Sequence, residues 1–277
     1  MSRYRKAFKT NILPISEMTT HIARKIANAY LPLVRKADSP KIENPTQAAI
    51  FGADFQLSRD IPVEVPGGIV YDHQKSFDRK TFSDPEETML IGVAGSISSY
   101  FLQFAKQIQG EDGGLKKFDF AKDLKKGHSP TVQSLNLSAM SQGIHYNTGG
   151  LFNLTVAHRD CENVRLYAVG ENGVVAPMDT VVAGSGGPHA QQAYEVLTSD
   201  TEFIPSYCSN VLAGELFAIY NAVRFATSKD RGSLGIDVHV ITPDKITNVT
   251  DALSEKKQAF GLKEFKRTIR KLDDLVK

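Results

Sequence analysis

The chain contains, at residues 88–96, the stretch Thr88-Met89-Leu90-Ile91-Gly92-Val93-Ala94-Gly95-Ser96. Its apolar run through Ala94 predicts a buried β-strand. From Ser96 to Ile108, apolar side chains instead recur at helical spacing, which predicts an amphipathic helix. Gly92 and Gly95 suit a sharp turn between this strand and this helix, because glycine adopts backbone angles that other residues avoid. We therefore expect a strand that runs directly into a helix, as in sandwich domains built from sheets and helices.

The segments around this stretch extend the same pattern. Strands are expected at Leu31–Arg35, Gln47–Phe55, Leu151–His158, Val164–Val169, Thr180–Ala183 and Ile236–Thr242. Helices are expected at Ser16–Tyr30, Ser129–Gln142, around Ala190–Leu197 and at Ser209–Ser228. Asn172-Gly173 predicts a tight hairpin turn, since both residues accept a positive φ.

The expected elements come as a pair of strands followed by a pair of helices, and this order occurs twice. It lacks the regular alternation of single strands and helices that is typical of a Rossmann fold. This order indicates an α+β fold in which two sheets pack face to face and helices cover the outer faces, a four-layer αββα sandwich. We place this domain at residues 31–245. A basic N-terminal helical arm, residues 1–30, precedes it, and a basic C-terminal helix, residues 246–277, follows it.

Composition excludes several classes of protein. Of the 277 residues, 41% are hydrophobic and 23% charged, which is typical of globular proteins rather than disordered or fibrous ones. No apolar run approaches the roughly 20 residues that cross a bilayer, and no signal region follows Met1, so the expected location is the cytoplasm. The only cysteines, Cys161 and Cys208, lack metal-ligand spacing, so we expect buried thiols, no metal site and no cofactor.

Positive charge is concentrated at the two ends of the chain, although the net charge is only +2. The basic tail also has apolar residues at helical spacing, including Phe260, Phe265 and Ile269. A solvated helix packed on its own domain explains this pattern better than nucleic-acid binding, because no recognition motif accompanies it. An adaptor that binds nucleic acid through its basic ends remains an alternative function.

Four segments, taken in order, carry a resemblance to a known family: Gln47–Asp54, Ile91–Ile108, Val182–Gly186 and Lys229–Gly235. Together they resemble the proteasome-type N-terminal-nucleophile hydrolases, the family of proteasome subunits and the bacterial protease HslV. The match covers most of residues 47–242. It implies an αββα fold and self-association into a ring through the helices. It also implies peptide or unfolded-protein substrates, with an ATPase unfoldase as a possible partner.

The resemblance also implies a set of site residues. In such enzymes a threonine exposed by propeptide removal attacks the peptide bond, and its own free amine is the base. Carried over by position, Asp54 would hold a lysine that keeps this amine neutral, and Lys75 is the candidate for that lysine. The Gly95 N–H would face the oxyanion. Ser185, Asp230 and Ser233 would orient the amine and the hydroxyl.

The nucleophile is harder to assign. Counting back about sixteen residues from Asp54, as a tight hairpin requires, arrives at Asp38, which is not a nucleophile. Thr19 and Thr20 look like the start of a mature subunit, although the surrounding pattern predicts a helix. The expected function is therefore a proteasome-like ring subunit that does not cleave peptides. The alternative is a self-processing threonine endopeptidase that uses Thr19 or Thr20.

Overall fold

A computed structural model of the chain gives the positions of ten stretches of sequence. They are residues 20–29, 47–54, 56–65, 68–77, 80–95, 99–110, 119–141, 152–199, 210–229 and 235–250. Within residues 56–77 and 99–102, the structure describes the backbone path and not the surroundings of the side chains.

The described residues form two five-stranded antiparallel sheets and a separate hairpin. The first sheet has the order β10-β1-β2-β11-β12, with strands β1 His21–Ile26, β2 Ala48–Ala53, β10 Thr180–Ala183, β11 Asp237–Ile241 and β12 Ile246–Asn248. The second has the order β5-β6-β7-β8-β9, with strands β5 Thr81–Ser83, β6 Met89–Gly95, β7 Phe152–Arg159, β8 Val164–Val169 and β9 Val175–Met178. The hairpin pairs β3 Gln56–Val65 with β4 Gly68–Phe77.

The described residues also form five helices, each of which lies between strands in the sequence. They are α1 Ser99–Gln109, α2 Phe120–Lys126, α3 Pro130–Ser141, α4 Gly187–Ser199 and α5 Val211–Lys229. An α+β fold with two antiparallel sheets and helices is thus confirmed. The strand expected at Leu31–Arg35 lies outside the described residues.

Strand alternation divides the buried residues into three clusters. Ile22 and Ile50 of the first sheet pack on α4 and α5, whereas Ile91 and Leu154 of the second sheet pack on α1, α2 and α3. The third cluster joins the two sheets, with Phe51 of β2 against residues such as Leu90 and Leu166 of β6 and β8. Each sheet therefore contributes some side chains to a cluster with helices and others to a cluster shared with the other sheet.

The helix expected at Ser16–Tyr30 is wrong over residues 21–26, which form β1. This strand pairs with β10 on one edge and with β2 on the other. Ile22 and Ile26 are four residues apart, a spacing that fits a helix turn and also two steps of strand alternation. Residues 21–26 form a strand because they pair with a neighbouring strand on each edge. This part of the expected N-terminal arm therefore belongs to the sheet.

Two further expectations differ from the structure. The start of the expected C-terminal helix is a strand, because β12 at residues 246–248 pairs with β11; residues 251–277 lie outside the described part. Cys161 is exposed rather than buried, in the short connection between β7 and β8, and Cys208 is not among the described residues. The Asn172-Gly173 turn occurs as expected between β8 and β9, with φ of 78° at Gly173.

Candidate active site

The site begins at Thr20, the residue before β1. The register of β1 on β2 pairs His21 with Ala53, so Thr20 lies opposite Asp54. The Thr20 N–H donates to Asp54 Oδ1 at 2.9 Å, and the Asp54 N–H donates to the Thr20 carbonyl at 3.1 Å. Both residues are fully buried. The Asp54 carboxylate is thereby held against the first described residue of the chain.

A buried lysine completes the contact. Lys80 Nζ lies 2.9 Å from Asp54 Oδ2 and 3.1 Å from Oδ1, with exposures of 3% for the lysine and 0% for the aspartate side chain. Lys80 precedes β5 in the second sheet, so the ion pair bridges the two sheets. Removing either partner of this buried ion pair would strongly destabilise the fold, because the other charge would remain uncompensated in the interior.

The described lysine beside Asp54 is therefore Lys80, whereas the surroundings of the Lys75 side chain, the predicted candidate, lie outside the described part. Lys75 lies in β4, where it pairs with Ser58 of the hairpin. The hairpin lengthens the connection from Asp54 to the second sheet, and this displaces the lysine to a later position. The short alternating segment Thr81-Phe82-Ser83, just before the Asp84-Pro85 turn, was the available signal for a strand headed by Lys80.

Gly95 and Ser185 lie at strand ends in this part of the fold. The Val93 N–H donates to the Lys80 carbonyl at 3.0 Å, and Gly95 follows two residues later at the end of β6, with φ of 104°. Ser185 is an exposed residue in the turn after β10, and β10 pairs Ala183 with His21. Thr19, Asp230 and Ser233, the other predicted site residues, lie outside the described part of the chain.

A second buried polar cluster surrounds Asp237, and the sequence patterns did not indicate it. The Thr81 hydroxyl donates to Asp237 Oδ2, and His239 Nε2 lies 3.0 Å from the same oxygen. Thr250 Oγ1 and Asn248 Nδ2 contact Asp237 Oδ1 at 3.1 and 3.2 Å. Burial alone would raise the pKa of Asp237, but the hydrogen bonds and the charge of His239, with the hydroxyl donors, lower it below the usual value.

His21 lies between the two clusters. Its ring packs on Phe51 with centroids 5.6 Å apart. Neither ring nitrogen has a hydrogen-bond partner in the structure as described. Burial and, to a smaller extent, the nearby Lys80 together lower the pKa of His21 to about 3, although Asp237 opposes the shift. The imidazole is therefore neutral at physiological pH.

No protein-family model matches the sequence, and no curated protein is significantly similar to it. Within the ranges described above, no group of three or more His, Cys, Asp and Glu side chains is placed to hold a metal ion. None of the described helices is long and apolar enough to cross a membrane. The chemistry of the site must therefore be argued from its own residues.

Proposed function

We propose that this chain is a proteasome-type N-terminal-nucleophile hydrolase subunit with a four-layer αββα fold, and that it cleaves peptide bonds after removal of its own N-terminal segment. The observation that carries the proposal is the contact of Thr20 with the buried Asp54–Lys80 ion pair. A lysine and a carboxylate held beside the start of a strand are what an N-terminal threonine needs if its own amine is to act as the base.

The position of the Thr20 amide favours Thr19 as the nucleophile. The Thr20 N–H already donates to Asp54. Cleavage before Thr20 would convert this nitrogen into an ammonium beside a carboxylate, which favours the charged form and makes a poor base. Cleavage before Thr19 keeps the Thr20 amide and its hydrogen bond, and puts the free amine on the preceding residue.

The reaction then follows from ordinary acyl-transfer chemistry. The neutral Thr19 amine accepts the hydroxyl proton as the oxygen attacks the substrate carbonyl carbon. An N–H donor, for which Gly95 is the candidate, stabilises the oxyanion. The leaving amine departs with the proton, and water hydrolyses the resulting ester. The Lys80 ammonium helps to keep the Thr19 amine neutral through like-charge repulsion.

A non-catalytic ring subunit is the second candidate. The observation in its favour is that the Thr20 side chain is fully buried, with its hydroxyl unpartnered among the residues described. Such a subunit would keep residues 1–19 and would assemble through its helices into a large particle. Intact mass, N-terminal sequencing and native particle mass of the purified protein distinguish the two candidates.

The decisive experiment is labelling with a peptide epoxyketone, which needs both the hydroxyl and the free amine of an N-terminal threonine. We expect a mature chain that begins at Thr19 and takes up one equivalent of probe. Thr19→Ala should abolish both processing and labelling, because it removes the attacking oxygen, whereas Thr19→Ser should retain them.

Thr20→Val is the matched control, since it keeps the backbone N–H that donates to Asp54 and removes only the buried hydroxyl. Labelling that survives Thr20→Val and disappears in Thr19→Ala assigns the nucleophile to Thr19. A wild-type chain that retains Met1 or Ser2 and takes up no probe would contradict the enzyme and leave the ring subunit.

A further inference from the structure

The hairpin β3–β4 contains the two longest strands that the structure describes. Each strand has ten residues, which corresponds to about 30 Å of extended chain. β3 begins two residues after Asp54, and β4 ends three residues before Lys80. Because Asp54 and Lys80 are in contact, both strands of the hairpin start from this ion pair, and they form a sheet of their own.

The position of Pro62 in β3 shows which backbone groups of the hairpin point outward. Paired residues of antiparallel strands alternate between pairs that exchange two hydrogen bonds and pairs that exchange none. Pro62 has no N–H, so its pair with Tyr71 is of the second kind. The N–H of Tyr71 therefore points away from β3. By the same alternation, so do those of the other odd-numbered residues of β4: Ile69, His73, Lys75 and Phe77.

The closed end of the hairpin gives the same assignment independently. Val65 pairs with Gly68 across a connection of two residues, and the pair that closes such a short connection is hydrogen-bonded. Pro62 and Tyr71 form the third pair after this one, so the alternation again leaves them without a mutual hydrogen bond. The outer edge of β4 therefore presents the N–H groups of its odd-numbered residues.

This outer edge lacks the protections that the other described edges have. An unpaired strand edge is a template for pairing with another chain, and short strands and proline prevent such pairing. β5 and β12 have three residues each, β9 and β10 have four, and β9 contains Pro177. Pro62 removes a donor from the outer edge of β3. By contrast, β4 has ten residues and no proline, and no described strand pairs with its outer edge.

We propose that the outer edge of β4 pairs antiparallel with the same edge of a second copy of this chain, about a twofold axis at His73. The five odd-numbered residues of β4 are centred on His73, so this register engages all of them. In the dimer, His73 lies opposite itself, Tyr71 opposite Lys75, and Ile69 opposite Phe77. The two hairpins then form one four-stranded sheet.

The charges of β4 favour this register. Asp72 lies opposite Gln74 of the second copy. Lys75 lies opposite Tyr71, so neither charged residue opposes a like charge, which would weaken strand pairing. An axis moved by one residue, to Asp72, would instead place this carboxylate opposite its own copy. Contacts in which both copies offer the same surface are the commonest in homo-oligomers, and this one does not depend on the proposed function.

Tyr71→Pro tests the proposal, because it removes a donor from the outer edge of β4 and none from the hairpin. Each dimer loses two hydrogen bonds, so its dissociation constant should rise at least about tenfold. Asp60→Pro is the matched control. Asp60 pairs with His73 within the hairpin, and its N–H points outward on the β3 edge, which the dimer does not use. Sedimentation of the full chain over a range of concentrations measures both variants.

The wild-type chain should associate, and Asp60→Pro should behave like it. If the copies also associate through other surfaces, Tyr71→Pro should halve the mass of the particle. A wild-type chain that stays monomeric at every concentration would overturn the proposal, and so would equal effects of Tyr71→Pro and Asp60→Pro.

A cysteine at the twofold axis gives a second measurement. In a hydrogen-bonded antiparallel pair the Cα atoms are about 5.5 Å apart, which is within the span of a disulfide. In a chain whose Cys161 and Cys208 are replaced by serine, His73→Cys should form a disulfide-linked dimer on mild oxidation, whereas Asp60→Cys should not. Linkage of both variants, or of neither, would contradict the pairing of β4 with its copy.

Discussion

At the scale of single residues, His21 is buried, and neither of its ring nitrogens has a hydrogen-bond partner in the part of the chain that the structure describes. A buried polar atom without a partner loses its hydration and gains nothing in return. His21→Leu should therefore leave stability at pH 7 unchanged or higher.

The same substitution should change how stability depends on pH. The folded-state pKa of His21 is about 3, against about 6.5 when unfolded. Between these values the unfolded chain binds the extra proton, so stability falls as pH falls. From pH 7 to pH 5 this amounts to about 2 kcal/mol, which His21→Leu should remove. Urea unfolding at the two pH values measures it.

Phe51→Leu is the control for this comparison, because it alters the ring packed on His21 without changing a titrating group. It should lower the unfolding free energy by the same amount at both pH values. An unchanged pH dependence in His21→Leu would show that His21 does not carry this part of the acid sensitivity.

The candidate site was partly predictable at this scale. Asp54 follows from the residues at the end of an apolar strand. Lys80 and the alignment of Thr20 do not, because the lengths of the connections that separate them from Asp54 cannot be read from the sequence. The residues between β1 and β2, and the β3–β4 hairpin after Asp54, lengthen the connections. A count back from Asp54 that assumes a tight hairpin therefore arrives at Asp38, and Lys75, carried over by position from the resemblance, comes before the lysine that contacts Asp54.

At the scale of elements, β2 and α5 approach closely at Gly52. A Cβ at this position would lie 2.8 Å from Ile219 Cγ2 and 2.8 Å from Val223 Cγ2. Gly52→Ala should therefore push α5 away from the sheet and cost about 1–3 kcal/mol, as expected for overpacking. Chemical denaturation of the purified variant measures the loss.

A double-mutant cycle tests the cause. Val223→Ala removes one of the methyl groups that the new Cβ meets, so the double variant should lose less stability than the sum of the two single variants. Additive losses would mean that Gly52 is required for another reason.

Elements whose apolar residues recur with only one of the two periods, that of a helix or that of a strand, were predictable. Elements whose apolar residues fit both periods were not. The run before Gly95 predicted β6, and Asn172-Gly173 predicted the turn into β9. In β1 the apolar residues fit both periods, and the evidence that separates them is pairing with β2 and with β10, which lies more than 150 residues later. Such partners are invisible to a local pattern.

At the scale of the whole molecule, three buried clusters join the layers. β2 and β6 each have a strand on both sides, and every residue of β2 is buried. Their amides should exchange with deuterium only on global unfolding, whereas the half-buried strand β12 should exchange through smaller openings. Native-state exchange at increasing urea measures this order, and equal opening energies would contradict it.

The link between Thr81 and Asp237 joins residues 156 positions apart. During synthesis, residue 237 leaves the ribosome long after Thr19 and Lys80 do. The Thr81–Asp237 contact therefore cannot form on a chain that ends before residue 237. Such a fragment contains both partners of the Lys80–Asp54 contact between the sheets but lacks the acceptor for Thr81.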